Sequence, residues 1–96
     1  MKKIKSLNVF GQKIKISHKK MDEDYLGLFY PAENRIEINV NCPKEKLEET
    51  IIHELFHAAF KRSALDQCHI SSDAQEIIVE QFAKVICENF KLTKKP

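Results

Sequence analysis

Glycine is scarce and tryptophan absent: the 96 residues hold two Gly, three Pro and no Trp. That composition excludes collagen-like chains, flexible linkers and propeller repeats. Cys42, Cys68 and Cys87 are an odd number of cysteines with no CxxC spacing. Neither a disulfide framework nor a zinc knuckle is therefore expected, but buried or half-buried free thiols in a reducing compartment. No apolar run approaches the roughly 18 residues that a membrane span needs. Met1-Lys2-Lys3-Ile4-Lys5-Ser6 has the charge of a signal peptide, but no apolar stretch follows it. The expected location is the cytoplasm, with no membrane partner.

Nor is one sign of charge in excess. Sixteen Lys+Arg against fourteen Asp+Glu leave +2, which disfavours nucleic acid as a partner. Hydrophobic residues at 43% and charged residues at 31% suit a folded domain rather than a disordered chain. The length allows one domain, residues 1–96. Without covalent staples so small a core is marginal, and a bound metal or partner chain would help to hold it.

The first half has the period of strands. Lys3 to Phe10 and Gln12 to His18 alternate apolar and polar residues around a turn at Gly11. Ile4, Ile14 and Ile16 are expected to face a core, with lysines toward water. Residues 1–20 hold seven lysines and no acid. A solvated face, whose lysines also deter edge-to-edge pairing, is the simpler account of them, because no aromatics are interleaved to stack bases. After a polar loop at Met21-Asp22-Glu23-Asp24, strands at Leu26–Tyr30 and Arg35–Val40 bracket the turn Pro31-Ala32-Glu33-Asn34. Ile36, Ile38 and Val40 share one face of the second.

The other half is helical. Pro43 suits a first helical turn, and no breaker follows from Lys44 to Arg62, giving a helix over about 44–62. Ser72-Asp73-Ala74-Gln75 has the capping-box pattern and opens a helix over about 73–90. The connection from Ser63 to Ser71 is polar, and Lys94-Lys95-Pro96 is expected to fray. The fold class is thus α+β: a small, mostly antiparallel sheet of about four strands packed on two helices.

Within the first helix stands His53-Glu54-Leu55-Phe56-His57, an HExxH pentad. Side chains four apart lie one above the other on a helix, so both imidazoles can bind one Zn²⁺. Glu54 would then project beside the metal, where it can deprotonate an attacking water. Leu47, Ile51, Ile52, Leu55, Ala58 and Ala59 cover a broad apolar arc, and His53, Glu54, His57 and Thr50 share the polar remainder. An active-site helix has that partition.

A catalytic zinc needs a third protein ligand and one open position. Glu76 follows His57 after the eighteen residues 58–75 and lies on the margin of the apolar arc made by Val79, Phe82, Ala83, Ile86 and Phe90. Glu80, one turn on, could instead hydrogen-bond a liganding imidazole. His69 is an alternative third ligand, and Cys68 beside it a soft donor. His18, at a strand end, is expected to be a surface histidine. Tyr25 and Tyr30 could donate to a developing oxyanion, although packing is the simpler use of each. Two imidazoles and a carboxylate suit zinc best among common ions. The metzincin pattern is excluded, since Phe60 and Ser63 stand where its glycine and third histidine would be.

HELFH with a downstream Glu76 resembles the gluzincin arrangement of thermolysin-like and aminopeptidase-like zinc peptidases. More closely, residues 27–57 (GLFYPAENRIEINVNCPKEKLEETIIHELFH) followed by EIIVEQFA at 76–83 resemble the very small zincin-like proteins encoded by phages and prophages. That resemblance covers about two-thirds of the chain. It implies His53, His57 and Glu76 as zinc ligands, Glu54 as general base, and a second hairpin whose edge strand lies above the cleft, where an extended peptide could pair. The implied activity is zinc-dependent hydrolysis of a peptide or protein. The alternative is a non-catalytic, zinc-stabilised interaction module, since a chain this short leaves little room for subsites.

Overall fold

The alternating segments form four strands in the computed structural model, which describes residues 4–93. They are β1 (Ser6–Val9), β2 (Gln12–Lys19), β3 (Gly27–Tyr30) and β4 (Arg35–Asn39). Two helices follow, α1 (Leu47–Arg62) and α2 (Ser72–Asn89). The chain is α+β. The strand start expected at Lys3 and the fraying expected at 94–96 lie outside the described residues.

Sheet order is β1-β2-β4-β3. β1 pairs antiparallel with β2, and β3 antiparallel with β4, as two hairpins should. The hairpins join through a parallel pairing of β2 with β4, Ile16 opposite Ile36 and His18 opposite Ile38. The sheet is therefore mixed, with two of its three pairings antiparallel. β4 is inserted between β2 and β3, which leaves β3 at an edge.

Local chemistry sets the turns. Phe10 and Gly11 both have positive φ, 48° and 81°, the signature of a two-residue hairpin turn whose twist matches the strands. Asn34, also at φ 48°, closes the short helical turn Pro31–Glu33; Asn tolerates that left-handed region better than most residues. The loop from Lys20 to Leu26 arches over the end of β4. Asn39 pins it there: its Nδ2 donates to the carbonyls of Met21, Asp22 and Tyr25 at 3.3, 3.2 and 2.8 Å, and its backbone N–H to Leu26 at 2.8 Å.

Ile14, Ile36 and Ile38 are fully buried, and together with Val9, Ile16, Ile51 and Ala58 they make the core between sheet and α1. Each buried Val or Ile among them contributes roughly 1.5–3 kcal/mol by leaving water. Val40 departs from the expected face: β4 ends at Asn39, and Val40 is 54% exposed. The first helix also begins later than expected. Lys44–Lys46 is a tight 3-10 turn, and α-helical geometry starts at Leu47. All three cysteines are free, but Cys68 is exposed rather than buried. Among the described residues no helix is long and apolar enough to cross a membrane.

At Gly27 the sheet packs closely on α1. A Cβ there would lie 3.0 Å from Thr50 Cγ2, 3.2 Å from Ile38 Cδ1 and 3.3 Å from the Glu37 carbonyl oxygen. At the far end of β3, Arg62 Nη2 donates to the Pro31 carbonyl at 2.7 Å and to Asn34 Oδ1. These contacts fix the edge strand above the helix that carries the pentad.

Candidate metal centre

α1 sets His53 and His57 one turn apart, with Nε2 atoms 3.3 Å from each other. α2 returns antiparallel and brings Glu76 across both. Glu76 Oε1 lies 2.8 Å from His53 Nε2, and Oε2 lies 3.0 Å from His57 Nε2. One ligand atom from each residue falls within 4.8 Å of the others, a group able to hold a metal ion. Donors bound tetrahedrally at 2.0–2.1 Å stand roughly 3.3 Å apart, so these separations are close to what zinc needs.

The hydrogen-bond geometry at His57 suits either a proton or a metal ion between the two helices. His57 Nδ1 lies 2.9 Å from Gln75 Oε1. An amide oxygen only accepts, so a proton sits on Nδ1, and Nε2 carries either a second proton, making the ring cationic, or a lone pair. Nε2 faces the Glu76 carboxylate, which when ionised only accepts. Two acceptors at 3.0 Å require a proton or a metal between them, and a divalent ion would satisfy both imidazoles and the carboxylate together.

Glu54 is 8% exposed. Burial pushes its carboxyl above the ordinary carboxylate range, His53 and His57 pull it back down, and Glu76 adds a further push upward. A cavity of about 940 Å³ opens over these residues. Edge strand β3 forms one wall, and Gln75, Glu76, Glu80 and Lys84 of α2 the other. The imidazoles are about one-fifth exposed and Glu76 about half, so the site is reachable from solvent.

The remaining candidates separate cleanly. Glu80 lines the cavity but pairs with Lys84 at 3.4 Å; the contact it could have made to an imidazole is made by Gln75. His69 and Cys68 are exposed in the connection between the helices and are not part of the cluster. His18 is half-buried rather than at the surface; it faces the helices and lines a second cavity with Leu47, Ile51 and Cys87. Tyr25 stands in the wall of the main cavity. Tyr30 is on the opposite face of the sheet, under the Arg35 guanidinium at 4.8 Å, and burial and the neighbouring Glu37 raise its phenol pKa.

Gln75 joins the cluster through His57, a contact that its sequence position does not announce. It was expected to complete a capping box with Ser72, but Ser71 is the cap, its Oγ accepting from the Ala74 N–H at 3.1 Å. Gln75 is thereby free to reach His57. Thr50, expected on the polar stripe, is buried; its hydroxyl donates to the Lys46 carbonyl at 2.8 Å and its methyl points at Gly27.

In comparisons with known proteins, no family model, curated protein or solved structure matches the chain.

Proposed function

We propose that this protein is a small zinc metallopeptidase of the zincin-like kind, hydrolysing peptide bonds in an extended peptide or protein segment. The observation that carries the proposal is the convergence of His53, His57 and Glu76 from two helices beside the buried Glu54. His53, His57 and Glu76 would hold the ion, and Gln75 would keep the His57 lone pair aimed at it. When bound, Zn²⁺ supplies Lewis acidity, polarising a carbonyl and lowering the pKa of water to about 7. Glu54 takes the proton of the attacking water and hands it to the leaving amine; its raised pKa suits a group that must both accept and release a proton. Among the described residues β3 has a strand neighbour on one side only, so a substrate backbone could pair along its free edge and lay its carbonyl over the pentad. Free thiols at Cys42, Cys68 and Cys87 suit a cytoplasmic setting, and the resemblance to phage-encoded zincins suits a phage or prophage origin.

The test is hydrolysis of a peptide library by the zinc-loaded chain and by Glu54→Gln, with metal content measured on both. Activity is expected to fall 10²- to 10⁴-fold in the variant while zinc is retained. Undiminished hydrolysis in the variant overturns the proposed role of Glu54, and no hydrolysis by the parent overturns the peptidase.

One feature favours the alternative, a zinc-stabilised interaction module. The three donors straddle α1 and α2, so an ion would tie the second helix to the first and add binding energy to folding. A large fall in melting temperature on chelation, with no turnover beforehand, is the outcome that selects it.

A further inference from the structure

The proposed chemistry leaves one face of the sheet unused. Both helices lie on the side of Ile14, Ile16, Ile36 and Ile38, and strand alternation sends the intervening residues to the other. There Lys13, Lys15 and Lys19 run along β2. Lys15 is the cross-strand partner of Arg35, and Arg35 that of Tyr30, so a lysine, a guanidinium and a phenol share one row. Among the described residues neither helix covers this face; the 20–26 loop lies over Asn39 at one end of it, and Ser6 and Glu37 are buried between their neighbours.

Charge is segregated onto it. Lys13, Lys15 and Lys19 on this face are all exposed, none forms an ion pair among the described residues, and segment 5–20 contains no acid. Glu33 and Glu37 are both paired to Arg35. Every other acidic residue lies in the 22–24 loop or beyond residue 44. A net charge of +2 thus hides a polarised molecule.

Phe10 is an independent observation. It is 70% exposed and sits at φ 48° in the turn between β1 and β2. A bulky side chain is disfavoured in that left-handed region, and water contact offers its ring no compensation. Neither backbone preference nor core packing accounts for an aromatic there. Strained, exposed residues of this kind mark contact surfaces.

We propose that the open sheet face binds single-stranded nucleic acid without regard to sequence, its phosphates along Lys13, Lys15 and Lys19 and its bases against Phe10 and the Tyr30–Arg35 pair. Charge complementarity selects a polyanion. The lysines form a line along one strand, which suits an extended backbone better than a planar lipid surface, and aromatic rings beside a basic track provide sequence-tolerant stacking. Overall composition disfavours this partner; the case for it comes from the cross-strand placement and from Phe10.

The test is fluorescence anisotropy with labelled oligothymidylate and oligouridylate over a salt series, using the full chain. Binding is expected, weakening with salt at a log–log slope of about −2 for three neutralised phosphates. The double variant Lys13→Glu/Lys15→Glu should bind at least about tenfold more weakly, and Lys91→Glu, on the helical side, should match the parent. Phe10→Asn, which relieves the turn and should raise the melting temperature, is expected to lose roughly 5- to 100-fold in affinity as one stacked base is lost. Absence of binding, binding that survives the Lys13/Lys15 double variant or is unchanged in Phe10→Asn, or binding to phosphatidylserine vesicles with none to either oligonucleotide overturns the proposal.

Discussion

His57 donates from Nδ1 to Gln75 Oε1 at 2.9 Å, so the side chain that orients one imidazole belongs to the chain neighbour of Glu76. A single segment of α2 therefore both closes the cluster and fixes the tautomer of a residue on α1. Any shift of α2 along α1 would disturb both together.

Removing the Gln75 amide should weaken zinc binding without removing a ligand. Gln75→Ala is expected to cost about 10- to 100-fold in zinc affinity, read by competition with a chromophoric chelator. Gln75→Glu keeps an acceptor and should stay much closer to the parent. Equal affinity in the alanine variant would show that the hydrogen bond does not orient His57.

Much of this centre was legible in the sequence because its signals are local. Ile14, Ile16, Ile36 and Ile38 announce their strands by alternation, and His53 and His57 are neighbours on any helix. The place of β4 between β2 and β3 was not legible, since hairpin signals say nothing about how two hairpins join. Val40 misled because periodicity does not show that the strand stops at Asn39, whose side chain holds the 20–26 loop. Gln75 misled because Ser71 and Ser72 are both able caps, and a shift of one residue decides whether the glutamine serves the helix end or His57.

The raised pKa of Glu54 has a consequence for the metal-free protein. A carboxyl whose folded pKa lies above its unfolded value, near 4.5, stays protonated in the folded state where the unfolded chain has already ionised. Folded protein then binds the extra proton, so the contribution of Glu54 to stability is fully present below about 4.5 and is lost as pH rises through the folded pKa. Thermal melts of chelated parent and Glu54→Gln should diverge with rising pH, the parent losing stability relative to the variant. Parallel profiles would mean that the carboxyl is not perturbed.

Gly27 and Thr50 form a pair that can be tested by a double-mutant cycle. In Gly27→Ala the new Cβ lies 3.0 Å from the Thr50 methyl, an overpacking expected to cost about 1–3 kcal/mol. Thr50→Ser removes that methyl while keeping the hydroxyl that donates to Lys46. The double variant should recover part of the loss, giving a favourable coupling of about 0.5 kcal/mol or more in urea melts. Strict additivity would locate the strain at Ile38 or the Glu37 carbonyl instead.

Asn39 ties the wall of the cavity to the end of the sheet, and its loss should be felt in both. It is 3% exposed, and one Nδ2 serves three carbonyls. Asn39→Leu would leave those carbonyls without their shared donor and is expected to cost about 1–3 kcal/mol, a fall in melting temperature of roughly 4–8 °C per kcal/mol for a domain of this size. Asn39→Asp keeps the acceptor that caps the Asn41 N–H but loses the donor, so it should resemble the leucine variant rather than the parent. Hydrogen exchange in residues 20–26 should rise in both variants, because Tyr25 and its neighbours lose the contact that orders them. If stability falls while exchange in the loop is unchanged, Asn39 serves the sheet alone and Tyr25 is held in the cavity wall by other contacts.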